Sequence, residues 1–193
     1  MGEIPTKIKK LLEIIQKQIY RTMSCTPISL SGIGLDCSSI AGLKEVYIAD
    51  VQDVDIITLS SDTIVSGITM ETGKKFKVFN FKRGNANFVS TGNRNDQNGT
   101  YYVENVLTVT FNKQETAKRT DLAQIAKGNV HVIVKDWNDI YWLLTYDTYA
   151  YGNVTANSGA ALGDANNYQL VLTSQTASLP LEVPSDAITS IVA

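Results

Sequence analysis

The last third of the chain alternates between short apolar runs and polar breaks. Residues 130–136 read Val-His-Val-Ile-Val-Lys-Asp, and residues 140–146 read Ile-Tyr-Trp-Leu-Leu-Thr-Tyr. A third run, residues 168–174, follows a polar, glycine-containing stretch over residues 153–167 that predicts a loop. Short runs of β-branched and aromatic residues between turn-forming residues are typical of antiparallel strands. The pattern therefore predicts a domain built mainly of β-strands.

The middle of the chain extends this pattern and adds one helix. Strands are expected at residues 43–49, 55–59 and 64–70. Over residues 114–127 the spacing of apolar residues becomes helical, and Gly128 stands where a C-terminal cap belongs. We expect a mainly β fold, a β-sandwich or barrel, with this helix on its flank.

A long β-hairpin is predicted between residues 75 and 112. Residues 75–82 alternate between apolar and polar positions, and residues 101–112 form a long run with regular apolar positions. Residues 83–100 between them are polar and rich in Asn and Gly, which predicts a long loop. Loops of this length are usually functional or disordered, and order imposed by a neighbouring subunit is a third interpretation.

Residues 3–22 predict an amphipathic helix. Apolar residues recur at spacings of three and four with lysines opposite them: Ile4, Ile8, Leu11, Leu12, Ile15 and Ile19. Such a helix packs on its own domain or on a neighbour. Binding to a membrane surface is disfavoured because Tyr20 is the only bulky aromatic residue in the segment.

The expected organisation has three parts. Residues 1–24 are a helical appendage, residues 25–185 are the β-domain, and residues 186–193 are a C-terminal arm. The arm is expected to be extended because Pro180 and Pro184 precede it. A linker rich in Ser and Gly at residues 23–41 marks the first boundary.

Composition excludes several functional classes. The net charge of −2 and the pI near 5.4 give no basic face for nucleic acid. No apolar run is long enough for a transmembrane helix, so no membrane partner is expected. Cys25 and Cys37 are expected to be free or buried thiols, with a disulfide as the alternative.

No catalytic or metal-binding motif is visible in the sequence. His131, the single histidine, lies within an apolar strand and is expected to be a packed or surface residue. Asp50, Asp53 and Asp55 lie close together, but the glycine and distal glutamate of an EF-hand are missing, so a solvated turn is expected. Asp136 and Asp139 are expected to cap the turn between two strands. We therefore expect no enzymatic activity, no metal and no cofactor.

The strand ends resemble those of bacteriophage tail proteins, most closely tail-tube-type proteins from phages of Bacteroidetes. The similarity rests on the strand ending at Asp136, the aromatic strand after it, and Gly159, Gly163, Asp164 and Tyr168, which approximate a Gly-x-x-x-Asp-x-x-x-Tyr loop. Residues 37–49 resemble the beginning of those chains, and the similarity covers roughly residues 25–185. Two features depart from it: residues 137–139 replace the usual Asn-Gly turn, and the segment 3–22 is additional.

The resemblance implies a structural virion protein that assembles with copies of itself. Tail tube proteins form rings, generally hexameric, in which long hairpins join into a barrel around a DNA channel. The partners that the resemblance implies are other copies of the chain, other phage tail proteins, and DNA that passes through the channel without specific binding. The protein would be made in the host cytoplasm and reside in the virion tail. The hairpin residues then become candidate interface residues: Phe76, Val78, Phe79, Phe81, Tyr101, Val103, Val106, Val109 and Phe111.

Two alternatives remain open from the sequence. A tail connector, terminator or ring protein, as in short-tailed phages, would form one ring and not polymerise. A β-sandwich module that binds a receptor or carbohydrate would expose aromatic residues on a loop, and Tyr146, Tyr149 and Tyr151 are the densest set.

Overall fold

Short β-branched and aromatic runs form most of the strands in the computed structural model, which describes residues 31–33 and 39–192 of the chain. Residues from Ser39 onward belong to one compact unit. The strands are β1 Leu43–Asp50, β2 Val54–Ser61, β3 Ile64–Met70, β4 Lys77–Phe79, β5 Ala86–Asn95, β6 Thr100–Asn112, β7 Val130–Asp136, β8 Tyr141–Leu143, β9 Tyr151–Asn157, β10 Asn167–Thr176 and β11 Leu181–Val183. The helices are α1 Thr116–Ile125 and α2 Ser185–Ile191, and a 3-10 turn spans Val51–Asp53.

The strands form two sheets. The larger sheet has the order β2-β3-β11-β8-β7-β1-β4, and the smaller sheet has the order β5-β6-β10-β9. All pairings are antiparallel except that of β11 with β3. The expected mainly β, sandwich-like fold is confirmed, with α1 on its flank.

β7 is the best-buried strand because both faces of the larger sheet are covered there. Val132 and Val134 belong to the core that faces the smaller sheet. Ile133, between them, belongs to a second core on the opposite face. Since successive side chains point to opposite faces, a strand covered on both sides becomes a continuous apolar run.

The main core lies between the two sheets. Val46 and Ile48 of β1 join the β7 valines, and Leu107 and Leu170 of the smaller sheet lie in the same cluster. α1 contributes its buried Leu122 and Ile125. This core covers one face of the smaller sheet, and the other face is exposed.

The second core shows that the expected extended C-terminal arm is wrong. Residues 185–191 form α2, and its Ile188 and Ile191 are buried against the outer face of the larger sheet with Phe76 and Ile133. Pro184 precedes the helix instead of preventing it. The burial of two isoleucines one helical turn apart favours a helix over an extended arm.

The strand pairing of the expected hairpin is also wrong. β4 is only three residues long and pairs with β1 in the larger sheet. The partner of β6 is β5, which lies within the stretch that was expected to be a loop. The true hairpin closes at residues 96–99, where Gly99 has a φ of 64°.

β9 lies partly within another segment that was expected to be a loop, residues 153–167. It pairs with β10 over seven residues, so the loop shortens to residues 158–166. Both β5 and β9 are edge strands whose outward positions are mostly polar, which explains why their sequences resemble loops. The expected helix at residues 3–22, Cys25 and Cys37 lie outside the described residues.

Candidate functional site: a sheet with one open face and two free edges

The smaller sheet has two free edges in the part of the chain that the structure describes. β5, ten residues long, pairs only with β6, and β9, seven residues long, pairs only with β10. Every pairing in this sheet is antiparallel, so β5 and β9 run in opposite directions. Each edge presents unpaired backbone N–H and C=O groups along its outer side. The two edges are therefore complementary in direction.

The open face of this sheet is almost free of charge. The register places one set of side chains away from the core: Asn87, Val89, Thr91, Asn93 and Asn95 on β5; Thr100, Tyr102, Glu104, Val106, Thr108, Thr110 and Asn112 on β6; Asn167, Gln169, Val171, Thr173 and Gln175 on β10; and Tyr151, Asn153, Thr155 and Asn157 on β9. Glu104 is the only charged residue in that set. Lysine and arginine do not occur in it, although they are common on exposed protein surfaces.

The opposite face of the sheet is anchored by a buried polar network. The side-chain nitrogen of Asn105 lies 3.0 Å from the hydroxyl of Thr176 and 3.1 Å from the carbonyl oxygen of Leu144. The hydroxyl of Ser174 donates to the same carbonyl at 2.8 Å. Because Leu144 follows β8 of the larger sheet, these bonds tie the two sheets together. A polar contact between layers fixes their register more specifically than apolar packing alone.

Most of the expected interface residues serve the core instead. Phe76, Val103, Val109 and Phe111 are buried within the chain itself, so they cannot contact a neighbour in this conformation. They are corrections to the expected interface: the alternation of β6 points Val103, Val109 and Phe111 inward, and Phe76 packs in the second core on the outer face of the larger sheet.

The remaining expected interface residues are at least partly accessible. Val106 is half-buried on the open face, and Tyr101 is exposed near the tip of the β5–β6 hairpin. Val78, Phe79 and Phe81 are half-buried and lie in or next to β4. The structure therefore brings only Val106 and Tyr101 to the smaller sheet's accessible surface.

Sequence reasoning missed the two edge strands, although one signal was present. Ala86 and Phe88 point inward while Asn87 and Val89 point outward, which is a period of two. The Asn98-Gly99 pair that follows is a strong signal for a tight hairpin turn. Three Asn residues and Gly92 in β5 hid this period because Asn and Gly have low strand propensity.

The other residues singled out in the sequence have structural roles. His131 is buried, and its Nδ1 lies 3.1 Å from both the hydroxyl and the carbonyl oxygen of Thr145. Burial lowers its pKa, and the hydrogen bond to Thr145 partly opposes that shift. Asp136 accepts hydrogen bonds from the backbone N–H groups of Asn138 and Ile140, which confirms its capping role.

No cluster of metal-binding side chains occurs among the described residues. Asp50, the first of the three clustered aspartates, instead accepts a hydrogen bond from the backbone N–H of Gln52 and caps the 3-10 turn. A concave groove of about 720 Å³ lies between β1, β4 and α1. Its charged residues are three lysines and three aspartates, Lys75, Lys77, Lys118, Asp50, Asp53 and Asp121, so it favours neither sign of ligand.

Comparison with known proteins gives no relative. No family model, no curated protein and no solved structure matches the chain. Within residues 31–33 and 39–192, no helix has the length and hydropathy needed to cross a membrane. The open sheet therefore has to be interpreted from its own geometry.

Proposed function

We propose that this chain is a structural virion protein whose copies join into rings or a tube, and that this assembly is the tail conduit for a bacteriophage genome. The observation that carries the proposal is the pair of free edges on the smaller sheet. β5 and β9 run in opposite directions at the two ends of one antiparallel sheet. A head-to-tail contact between β9 of one copy and β5 of the next would extend the sheet without changing its antiparallel pattern.

Repetition of this contact around an axis closes a ring. A heterologous contact forms a closed ring when its rotation completes a circle, and closure leaves no edge unpaired. Six copies, the number that the resemblance implies, would give a barrel roughly 48 Å across between backbones, from strands about 4.8 Å apart and tilted by about 40°. Barrels of about 16–18 strands already enclose an aqueous channel, so this larger barrel would be open along its axis.

The open face of the smaller sheet has the chemistry expected for the lining of such a channel. The larger sheet covers the other face, so ring closure would turn the open face toward the axis. In the proposed channel, its Asn, Thr and Gln side chains would hydrate the lining, and Glu104 would add one negative charge per copy. Binding of DNA depends mainly on Lys and Arg contacts to phosphates. A wall without them would let DNA pass without retaining it.

The first experiment is to determine the assembly state of the purified full-length chain. Negative-stain electron microscopy and mass photometry over a wide range of concentrations should reveal rings or tubes with a central channel. A chain that stays monomeric at every concentration, and also in the presence of the other tail proteins, would contradict the proposal. A ring that never stacks would instead identify a connector or terminator.

Proline substitutions then test whether the edge of β5 carries the contact. Successive residues of an edge strand direct their N–H groups alternately to the partner strand and to solvent. Of Thr91→Pro and Gly92→Pro, one therefore removes a donor from the β6 pairing and the other removes a donor from the free edge. The free-edge variant should retain the thermal stability of the monomer and lose ring formation. Rings formed equally well by both folded variants would exclude this edge.

A further inference from the structure

The loop between β9 and β10 presents a fully exposed leucine on a well-defined turn. Leu162 lies at the tip of residues 158–166, with its side chain completely accessible, and Ala160 and Ala161 beside it are exposed as well. Exposed apolar residues are common singly, but three in succession on one tip are not. The tip is therefore a candidate contact point.

Hydrogen bonds hold this tip in place. A carboxylate oxygen of Asp164 accepts from the backbone N–H groups of Ala160 and Ala161, both at 2.8 Å. These bonds lower the pKa of Asp164. Gly159 has a φ of 70°, and a β-carbon there would lie 2.5 Å from the β-carbon of Asp164. Asp164 and Gly159 therefore hold Leu162 at a fixed position.

The strand directions place Leu162 at one end of the smaller sheet and two exposed apolar residues, Tyr101 and Leu179, at the other; these two residues are called the Tyr101–Leu179 patch below. The loop follows the C-terminal end of β9, next to the C-terminal end of β6, where the N–H of Lys113 donates to the carbonyl of Asn166. Tyr101 and Leu179 lie at the opposite end: Tyr101 pairs with Arg94 near the tip of the β5–β6 hairpin, and Leu179 follows Thr176, the last paired residue of β10. Tyr101 is 55% exposed and Leu179 is 57% exposed.

The two ends also differ in charge. The connections near Leu162 carry Lys82, Arg83 and Asp164, and the nearby Glu115 is paired with Lys113 and Lys118. The connections near Tyr101 and Leu179 carry Asp147, and Asp96 there is paired with Arg94. Taken together, these charges are net basic at the Leu162 end and net acidic at the opposite end, which favours contact between opposite ends of two copies.

From these observations we propose that Leu162 of one copy contacts the Tyr101–Leu179 patch of a second copy stacked on it along the strand direction. The inference rests on the proposed assembly and specifies how one ring stacks on the next. Each copy carries both halves of the contact at opposite ends, so the contact is heterologous and repeats indefinitely, which is the condition for a tube. The occupant of the apolar patch is thus a second copy of the same chain.

Substitution of Leu162 tests the stacking contact separately from ring closure. Leu162→Ser should leave rings intact and remove stacking, because each contact weakens by about tenfold or more and every copy in the ring repeats it. Leu162→Met keeps an apolar side chain of similar volume and should still form tubes. Both variants are examined by negative-stain electron microscopy and mass photometry.

The outcomes distinguish the two proposals. Tubes of Leu162→Ser as long as those of the wild type, or wild-type rings that never stack, would overturn the stacking contact and leave ring closure standing. A wild-type chain that forms neither rings nor tubes would overturn both.

A disulfide test locates the contact directly. The double variant Leu162→Cys, Leu179→Cys is made in a background with Cys25→Ser and Cys37→Ser. Oxidation should produce a ladder of covalently linked chains, because each copy contributes to two contacts. Each single-cysteine variant can give no species larger than a dimer. A double variant that also stops at the dimer, while it still forms tubes, would overturn the assignment of Leu179.

Discussion

The two sheets of this protein differ in how completely the chain itself satisfies them. The larger sheet is covered on both faces around β7, by the smaller sheet on one side and by α2 on the other. The smaller sheet is covered on one face only, and its two edges are the long strands β5 and β9. We therefore expect the covered sheet to contribute more to stability than the open face, and the proposed assembly would use the free edges of the smaller sheet.

The largest expected effect comes from a substitution in the covered sheet. Ile133→Ala removes a fully buried side chain from β7 and should lower the free energy of unfolding by about 2–5 kcal/mol. Val89→Ala on the open face of β5 should change it by less than about 0.5 kcal/mol. Urea denaturation of the dissociated chain measures both values. An equal loss of unfolding free energy in Ile133→Ala and Val89→Ala would show that the covered sheet and the open face contribute equally to stability.

The next effect concerns the bonds that tie the two sheets together. Asn105→Ala leaves buried hydroxyl groups with fewer partners and should lower the free energy of unfolding by about 1–3 kcal/mol. Asn87→Ala makes the same chemical change on the open face and should be nearly neutral. The denaturation midpoints of the two variants, each compared with that of the wild type, measure the two effects. A neutral Asn105→Ala would mean that apolar packing alone holds the sheets.

A charge substitution tests the open face without disturbing the fold. Glu104→Arg would place one cation per copy on an open face that has none, and under the proposed assembly it should make the rings bind duplex DNA. The matched variant Glu104→Gln should not bind. Fluorescence anisotropy of labelled DNA at two salt concentrations measures the effect, and the binding should weaken as salt increases. Equal binding by both variants would place Glu104 away from the channel.

The smallest effect expected is a pH dependence within the covered sheet. Burial lowers the pKa of His131 in the folded chain, so the unfolded chain binds a proton more readily. Stability should therefore be complete above the unfolded pKa of about 6.5 and decrease as the pH falls below it. His131→Asn should remove this slope between pH 7.5 and pH 5.5. Since the sequence contains one histidine, a slope that survives the substitution would have another origin.

The strands of the covered sheet were largely predictable from the sequence. Residues 130–136 and 64–70 form β7 and β3 with the expected bounds, and β1 and β2 differ from expectation by one or two residues at an end. Burial demands apolar β-branched residues, and those residues leave a visible pattern.

The edge strands were not predictable in the same way. β5 contains three Asn residues and Gly92, which have low strand propensity, and it is held in the sheet by its pairing with β6. A polar edge strand and a polar loop have similar sequences because neither has to bury its outward side chains. The candidate interface was misassigned for this reason: Phe76, Val103, Val109 and Phe111 were chosen for their hydrophobicity, and hydrophobicity selected the core.

The sequence alone determined the mainly β composition, the flanking helix α1 and the strands that build the core, because these depend on local period and side-chain type. Tertiary structure decided which strands became neighbours, that residues 185–191 fold back as a helix, and that two polar strands of opposite direction lie at the edges of one sheet. Those features depend on hydrogen bonds between residues far apart in the chain. A local pattern does not encode them, because the partner strand supplies half of every such bond.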